Sequence, residues 1–384
     1  MRYYIIAGEA SGDLHGSNLI KGLKEVDKSA QIRAWGGDLM SAAGADLVKH
    51  YKETAIIGFV EVIAKINKIS KNFKECKADL INYNPDVLIL IDYPGFNLRM
   101  AKFAKERGIK VFYYIAPKVW AWKEGRVKKI KKYIDKLFII FPFEIEYFKK
   151  WGIDAIYNGN PLLDSVNNFK NCNETKDEFA KRIGIETNKQ CVALLAGSRK
   201  GEIKYLLPRL VKVANNFPDK QFLLACAPSM EKKVYDEIIG EGSGNIKLLW
   251  GETYPILKHS EAALISSGTA SLEAALIGVP QVVCYGGNEI SYQIAKRVVK
   301  LKYISLANLI MDKGIFKELI QHTCTPENIS KELMQLLENK EYINNMKADY
   351  ATIREILGGE GASNKVAAAM VEQLKILQNE SSHI

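Results

Sequence analysis

The chain lacks any Cys-x-x-Cys pair: Cys76, Cys172, Cys191, Cys226, Cys284 and Cys324 are scattered along its length. That spacing offers neither a zinc site nor a disulfide framework, and it fits a reducing cytoplasm. No apolar run approaches the ~20 residues that a membrane-spanning helix needs. The apolar stretch after Met1-Arg2 is too short for the core of a secretory signal. Low-complexity tracts and short repeats are missing as well. There is no Asp-x-Asp, which argues against a carboxylate pair holding a metal on a nucleotide-sugar diphosphate. The charge on such a leaving group would fall to arginine, hydroxyls and helix N-termini.

What is present has the composition of an ordinary globular protein, 47% hydrophobic and 26% charged. At 384 residues the chain exceeds the size of a single core, so two domains are expected. Strand and helix signals alternate, as in parallel doubly wound α/β sheets. Strands are expected at residues 3–7, 31–35, 87–92, 111–114 and 137–140. After a polar boundary near residues 167–190 they resume at 191–196, 222–226, 246–250, 262–265 and 282–285. The reading is two Rossmann-like domains facing across a cleft, 1–170 and 171–355. A helical tail, 356–384, follows, either returning to the first domain or swapped in a homodimer.

The richest segment is GEASGDLHGS, Gly8 to Ser17, between the first strand and a helix. Its glycines allow a tight turn and close approach of a ligand, and the helix beyond supplies free N–H groups. It matches neither GxGxxG nor the Walker pattern, and its carboxylates Glu9 and Asp13 would repel phosphate. Either Ser11 or Asp13 caps the helix, or the loop meets a hydroxyl-bearing ligand. In LILIDYPGFN, Leu88 to Asn97, an apolar strand ends in Asp92. A carboxylate in that low-dielectric setting is a candidate general base; the alternative is a helix cap there, at Asp92, Asn97 or the turn itself.

The second domain carries LLAGSRKGE, with Ser198, Arg199 and Glu202, and ISSGTASLEAALIGVP, with Ser267, Gly268, Thr269 and Glu273. Arginine can grip phosphate oxygens with two parallel bonds, a helix N-terminus can hold a diphosphate, and a glutamate one turn in can accept from ribose hydroxyls. The net charge of +10 calls for an anionic partner. From Lys118 to Lys136, eight basic residues stand against two acids, with Trp120 and Trp122 among them. This suits a solvated basic helix, a membrane surface or nucleic acid. Phe59, Val60 and Ile63 belong to a broad apolar face that suits either the core or acyl chains.

Taken in order, GEASGD, GFVEV, DYPGFN, WAW-x-x-GR-x-KKI, NPLLD, GSR, SSGTASLE, ISLANLI and CTP resemble the lipid-A-disaccharide synthase family, inverting glycosyltransferases of GT-B fold. The resemblance spans essentially the whole chain. It implies transfer of a diacylated glucosamine from UDP-diacylglucosamine to the 6-hydroxyl of a diacylglucosamine 1-phosphate. The enzyme would need no metal and no cofactor, would bind no nucleic acid, and would attach peripherally to the cytoplasmic, anionic face of a Gram-negative inner membrane. It further implies Asp92 as general base and Glu9 as the second candidate. Ser11, Gly12 and Asn97 fall in its substrate stretches. Ser198, Arg199, Glu202, Ser267, Gly268, Thr269, Glu273, Asn308 and Gln321 fall around UDP. Phe59, Val60, Ile63, Trp120, Trp122 and Arg126 would face acyl chains or membrane. Asn160, Ala196 and Ala307 depart from the family, which often has His, Pro and Pro there. A UDP-sugar 2-epimerase of the same architecture and a nonenzymatic lipid or nucleic-acid binding protein are the alternatives.

Overall fold

The computed structural model describes residues 1–54, 66–121, 124–240, 244–287, 289, 292–293 and 301–382. The chain divides into two compact units, Met1–Asp164 with Leu357–Ile384, and Ser165–Ile356.

The first unit is built on seven parallel strands: β1 (Arg2–Ala7), β2 (Gln31–Gly36), β3 (Asp46–His50), β4 (Val87–Ile91), β5 (Lys110–Tyr114), β6 (Lys136–Ile139) and β7 (Ala155–Tyr157). Their order is β3-β2-β1-β4-β5-β6-β7. The centre, β4, reads VLILI and is 0% exposed at every residue, as helices on both faces of a parallel sheet require. The expected strand 87–92 ends one residue early, because Asp92 and Tyr93 both turn left-handed, φ 43° and 45°. For non-glycine residues that conformation costs of order 1–3 kcal/mol each, and such strain gathers at functional sites.

The tail belongs to this unit. Helix Ala362–Ser382 packs on helix Ala10–Val26. A Cβ at Gly22 would stand 2.9 Å from the Ala367 Cβ, so glycine sets how close the two helices come. Asp164 caps the tail helix by accepting from the N–H groups of Gly361 (2.7 Å) and Ser363 (2.9 Å).

The second unit has six parallel strands: β8 (Cys191–Leu195), β9 (Gln221–Cys226), β10 (Ile246–Trp250), β11 (Ala262–Ser266), β12 (Gln281–Tyr285) and β13 (Glu318–Ile320), in the order β10-β9-β8-β11-β12-β13. Both sheets thus reverse direction of winding beside their first strand, between β1 and β4 and between β8 and β11. Open α/β sheets bind ligands at the carboxyl ends of the strands flanking such a switch point. Glu9 and Asp92 follow β1 and β4; Arg199 and Ser267 follow β8 and β11. No described helix is long and apolar enough to cross a membrane.

Candidate active site

In the first unit, the chain leaves β1 at Gly8, which lies under the Tyr93 ring. An added Cβ there would meet that ring at 2.3–2.7 Å, so only glycine lets the two switch-point loops touch. Glu9 follows in extended conformation, φ −145°, exposed and making no capping bond to the Ala10–Val26 helix. Ser11 is exposed beside it. Gly12 is buried; a Cβ would come 3.1 Å from the Ala7 Cβ, so its place is in close helix–strand packing rather than against a ligand. Asp13 does not face the ligand side either. Its buried carboxylate accepts from the N–H groups of Gly37 (2.8 Å), Leu39 (3.1 Å) and Met40 (3.0 Å), capping the Asp38–Ala42 helix from a distant part of the chain.

Asp92 is held by its main chain. Its N–H donates to the Tyr114 carbonyl (3.2 Å), and its carbonyl accepts from Asn97 Nδ2 (2.8 Å) and from the Tyr113 hydroxyl (2.5 Å). The side chain is left for other work. Burial, and then the charge of Glu9, push the Asp92 carboxyl up to about 6, while Lys118, the Tyr93 N–H and Arg126 pull the other way. A carboxylate raised toward neutrality is a better proton acceptor and is still ionised at pH 7.

Asn97 requires a correction. It is 0% exposed, and Nδ2 also donates to the Ile91 carbonyl at 3.1 Å, so in this structure it shapes the turn that presents Asp92. Trp120 is likewise turned inward: its indole N–H donates to Glu144 Oε1 at 3.0 Å, and its ring meets Phe143 edge-on. Glu144 is 1% exposed and also accepts from the Phe141 N–H (3.1 Å); burial pushes its carboxyl up to about 7. Nothing in the sequence pattern marked Glu144. Arg126 ends the Glu124–Arg126 turn, and its charge lowers the pKa of Asp92 and of the Tyr113 hydroxyl. Phe59, Val60, Ile63 and Trp122 lie outside the described residues.

In the second unit, Glu202 folds back over Gly197 and accepts from the N–H groups of Ser198 (3.0 Å) and Arg199 (3.3 Å). It therefore occupies amides that an anion would use, and its other oxygen pairs with the exposed Arg199 guanidinium at 3.0 Å. Helix Thr269–Ile277 begins after Gly268 with no side-chain cap, leaving that N-terminus to a ligand or water. Ser267 and Gly268 are half-buried there and Thr269 is exposed. Glu273 accepts from the Tyr254 hydroxyl at 3.0 Å, and burial raises its pKa.

Asn308 is corrected on the same grounds as Asn97. It is 0% exposed and fully engaged with Phe316, Glu318 and the Ile315 N–H. Gln321 sits left-handed at φ 48° and bonds both backbone groups of Gly287. It borders a cavity of about 280 Å³ together with Thr325 of the CTP motif and with Tyr205, Arg209 and His322, which no local motif singled out.

The three departures from the family pattern are all inside the protein. Asn160 is 0% exposed, donating to the Ile140 carbonyl (2.9 Å) and accepting from the Leu162 N–H (3.0 Å) at the start of helix Pro161–Asn167. Ala196 and Ala307 are 1% and 0% exposed. Asn160 acts through these hydrogen bonds and the two alanines through packing.

The profile of the lipid-A-disaccharide synthetase family matches residues 3–372. Curated relatives named lipid-A-disaccharide synthase include that of Geobacter metallireducens, 37% identical with 97% of each chain covered. That of Trichlorobacter lovleyi is 36% identical, covering 97% of this chain and 98% of its own. Among solved structures, the UDP-GlcNAc 2-epimerase of Neisseria meningitidis bound to UDP-GlcNAc superposes with TM-score 0.72 at 14% identity, over 97% of this chain and 100% of that one. A ugt transferase of Siraitia grosvenorii in complex with UDP gives 0.60 at 14%, over 97% and 99%. At such identity the epimerase shares the GT-B fold and nothing more, whereas the sequence relatives span both units and both switch points. The chain belongs to the lipid-A-disaccharide synthase family of glycosyltransferases.

Proposed function

We propose that the chain joins UDP-2,3-diacylglucosamine to 2,3-diacylglucosamine 1-phosphate, forming the β-1,6 disaccharide 1-phosphate and releasing UDP. The observation that carries the reading is Asp92: a strained, main-chain-anchored carboxyl at the switch point of its sheet, raised to about 6, in a chain of this family. Asp92 takes the proton of the acceptor 6-hydroxyl as that oxygen attacks the anomeric carbon and the bond to UDP breaks. Attack opposite the leaving group inverts the anomeric centre. The first unit would hold the acceptor and the second the UDP-sugar. There Arg199 and the uncapped N-terminus of helix Thr269–Ile277 would bear the diphosphate charge, with Glu273 toward the ribose.

Attachment to an anionic membrane face is supported by helix Val127–Tyr133. Val127 and Ile130 anchor it at 0% exposure, while Lys128, Lys129 and Lys132 point to solvent. Mass spectrometry after incubation with both substrates tests the reaction. A disaccharide that requires both is expected; a UDP-sugar epimerised without acceptor would replace this reading with the epimerase.

The pH profile follows from the base. Because the ionised form of Asp92 accepts the proton, kcat/KM should fall about tenfold per pH unit below about 6. Glu9→Gln removes a negative charge that raises this pKa, so the acid limb should move to lower pH. A limb that stays in place would separate Glu9 from Asp92.

A further inference from the structure

Tyr93 stands at the switch point of the first sheet, one residue after Asp92, and local preference does not account for it. Its backbone is left-handed, φ 45° and ψ 52°, a conformation that suits glycine, asparagine or aspartate and is an outlier for a bulky aromatic residue. It also fills the N-cap of helix Pro94–Lys105, where serine, threonine, aspartate or asparagine would satisfy a free N–H, and it makes no side-chain cap. Strain of this kind persists only where the surroundings fix it. Here they do. The root of the ring lies against Gly8, where an added Cβ would stand 2.3 Å from the Tyr93 Cγ. The ring also stacks on Phe96, 5.6 Å between centroids and 22° between planes. Phe96 is 6% exposed and is itself stacked on Phe73 at 4.3 Å and on Trp35 at 5.8 Å.

The hydroxyl of this clamped ring is left over. Tyr93 is half-buried, and its oxygen is neither enclosed nor bonded to any group among the described residues. Tyr113, on the neighbouring strand, spends its hydroxyl on the Asp92 carbonyl instead. Burial, and then the charge of Glu9, raise the Tyr93 pKa, so near neutrality it is an un-ionised phenol that can both donate and accept. The acceptor offers one group to match it. In 2,3-diacylglucosamine 1-phosphate the first three ring positions are substituted and the 6-hydroxyl reacts, which leaves the 4-hydroxyl, next along the ring from the carbon that bears the reacting arm. We propose that the Tyr93 hydroxyl binds the acceptor 4-hydroxyl and so sets the 6-hydroxyl against Asp92. Two successive residues of one strained turn then read two neighbouring hydroxyls of one sugar. The proposal rests on the reaction given above. It makes Tyr93 a determinant of acceptor choice.

The test compares kcat/KM for the acceptor in the wild-type chain and in Tyr93→Phe, each with diacylglucosamine 1-phosphate and with its 4-deoxy analogue. Tyr93→Phe keeps the ring and its stacking and removes one oxygen; urea unfolding and UDP titration by calorimetry check that the variant is folded. Removing the oxygen from either partner should lower kcat/KM about three- to tenfold, the scale of one neutral hydrogen bond. Removing both should cost no more than removing one, because the same bond is lost, and KM for the UDP-sugar should stay unchanged. A Tyr93→Phe variant as active as wild type on the natural acceptor, a wild type indifferent to the 4-hydroxyl, or losses that multiply in the doubly altered pair would overturn the assignment. An equal loss of UDP affinity would make the role of Tyr93 structural and overturn it too. A wild type that makes no disaccharide from diacylglucosamine 1-phosphate would overturn the reaction itself.

Discussion

Asp92→Asn is expected to lower kcat by roughly 10²–10⁴-fold with little change in UDP affinity, the usual scale for removing a general base. The substitution is clean because the position is held by its main chain. The bonds from Tyr113 and Asn97 to the Asp92 carbonyl, and from its own N–H to Tyr114, are untouched by exchanging carboxylate for amide. The left-handed backbone also tolerates asparagine, which is among the residues that most readily adopt it. Steady-state kinetics with both substrates and UDP titration by calorimetry make the measurement. A rate near wild type would remove Asp92 from the base role. Loss of UDP affinity together with rate would show that the residue supports structure or nucleotide binding.

Asp13→Ala should cost about 3–5 kcal/mol of stability, through a mechanism unrelated to chemistry on the substrate. The carboxylate accepts three backbone N–H groups at the start of helix Asp38–Ala42, and two of those bonds are fully buried. Gly37, the residue in the capping position, has no side chain to replace it. Orphaned buried donors cost about 1–3 kcal/mol each, and bonds to a charged acceptor are the stronger kind. Asp13→Asn keeps one accepting oxygen and should lose less. Urea unfolding followed by a probe in the first unit measures the difference, and a loss under about 1 kcal/mol in the alanine variant would refute this role.

Asp13 also marks how far the sequence could be read. GEASGD announced a strand–loop–helix at a ligand edge, and both switch points lie where the motifs fell. A motif cannot say which of its two carboxylates turns outward, Glu9 before the helix or Asp13 in its first turn. Glu9 does and Asp13 does not, because the partner of Asp13 arrives 24 residues later. Asn97 and Asn308 were expected from the resemblance to lie near substrate, yet both are buried and bond the backbone around them, Asn308 also the Glu318 carboxylate. The central strands were legible as apolar runs, whereas β3, β7 and β13 were not. They are short edge strands of half-buried residues, which need no continuous apolar pattern. Glu144 escaped notice because its significance comes from Trp120, 24 residues earlier.

The tail helix has a consequence for how the protein is made. The unit that holds Asp92 begins at Met1 and is completed only by Leu357–Ile384, so the whole of Ser165–Ile356 must leave the ribosome first. Domains ordinarily form in the order of synthesis, from the N-terminus onward. Here the Gly22 face of the first helix stays uncovered until the segment containing Ala367 has been translated. Removing or displacing helix Ala362–Ser382 therefore acts on helix Ala10–Val26, far from it in sequence.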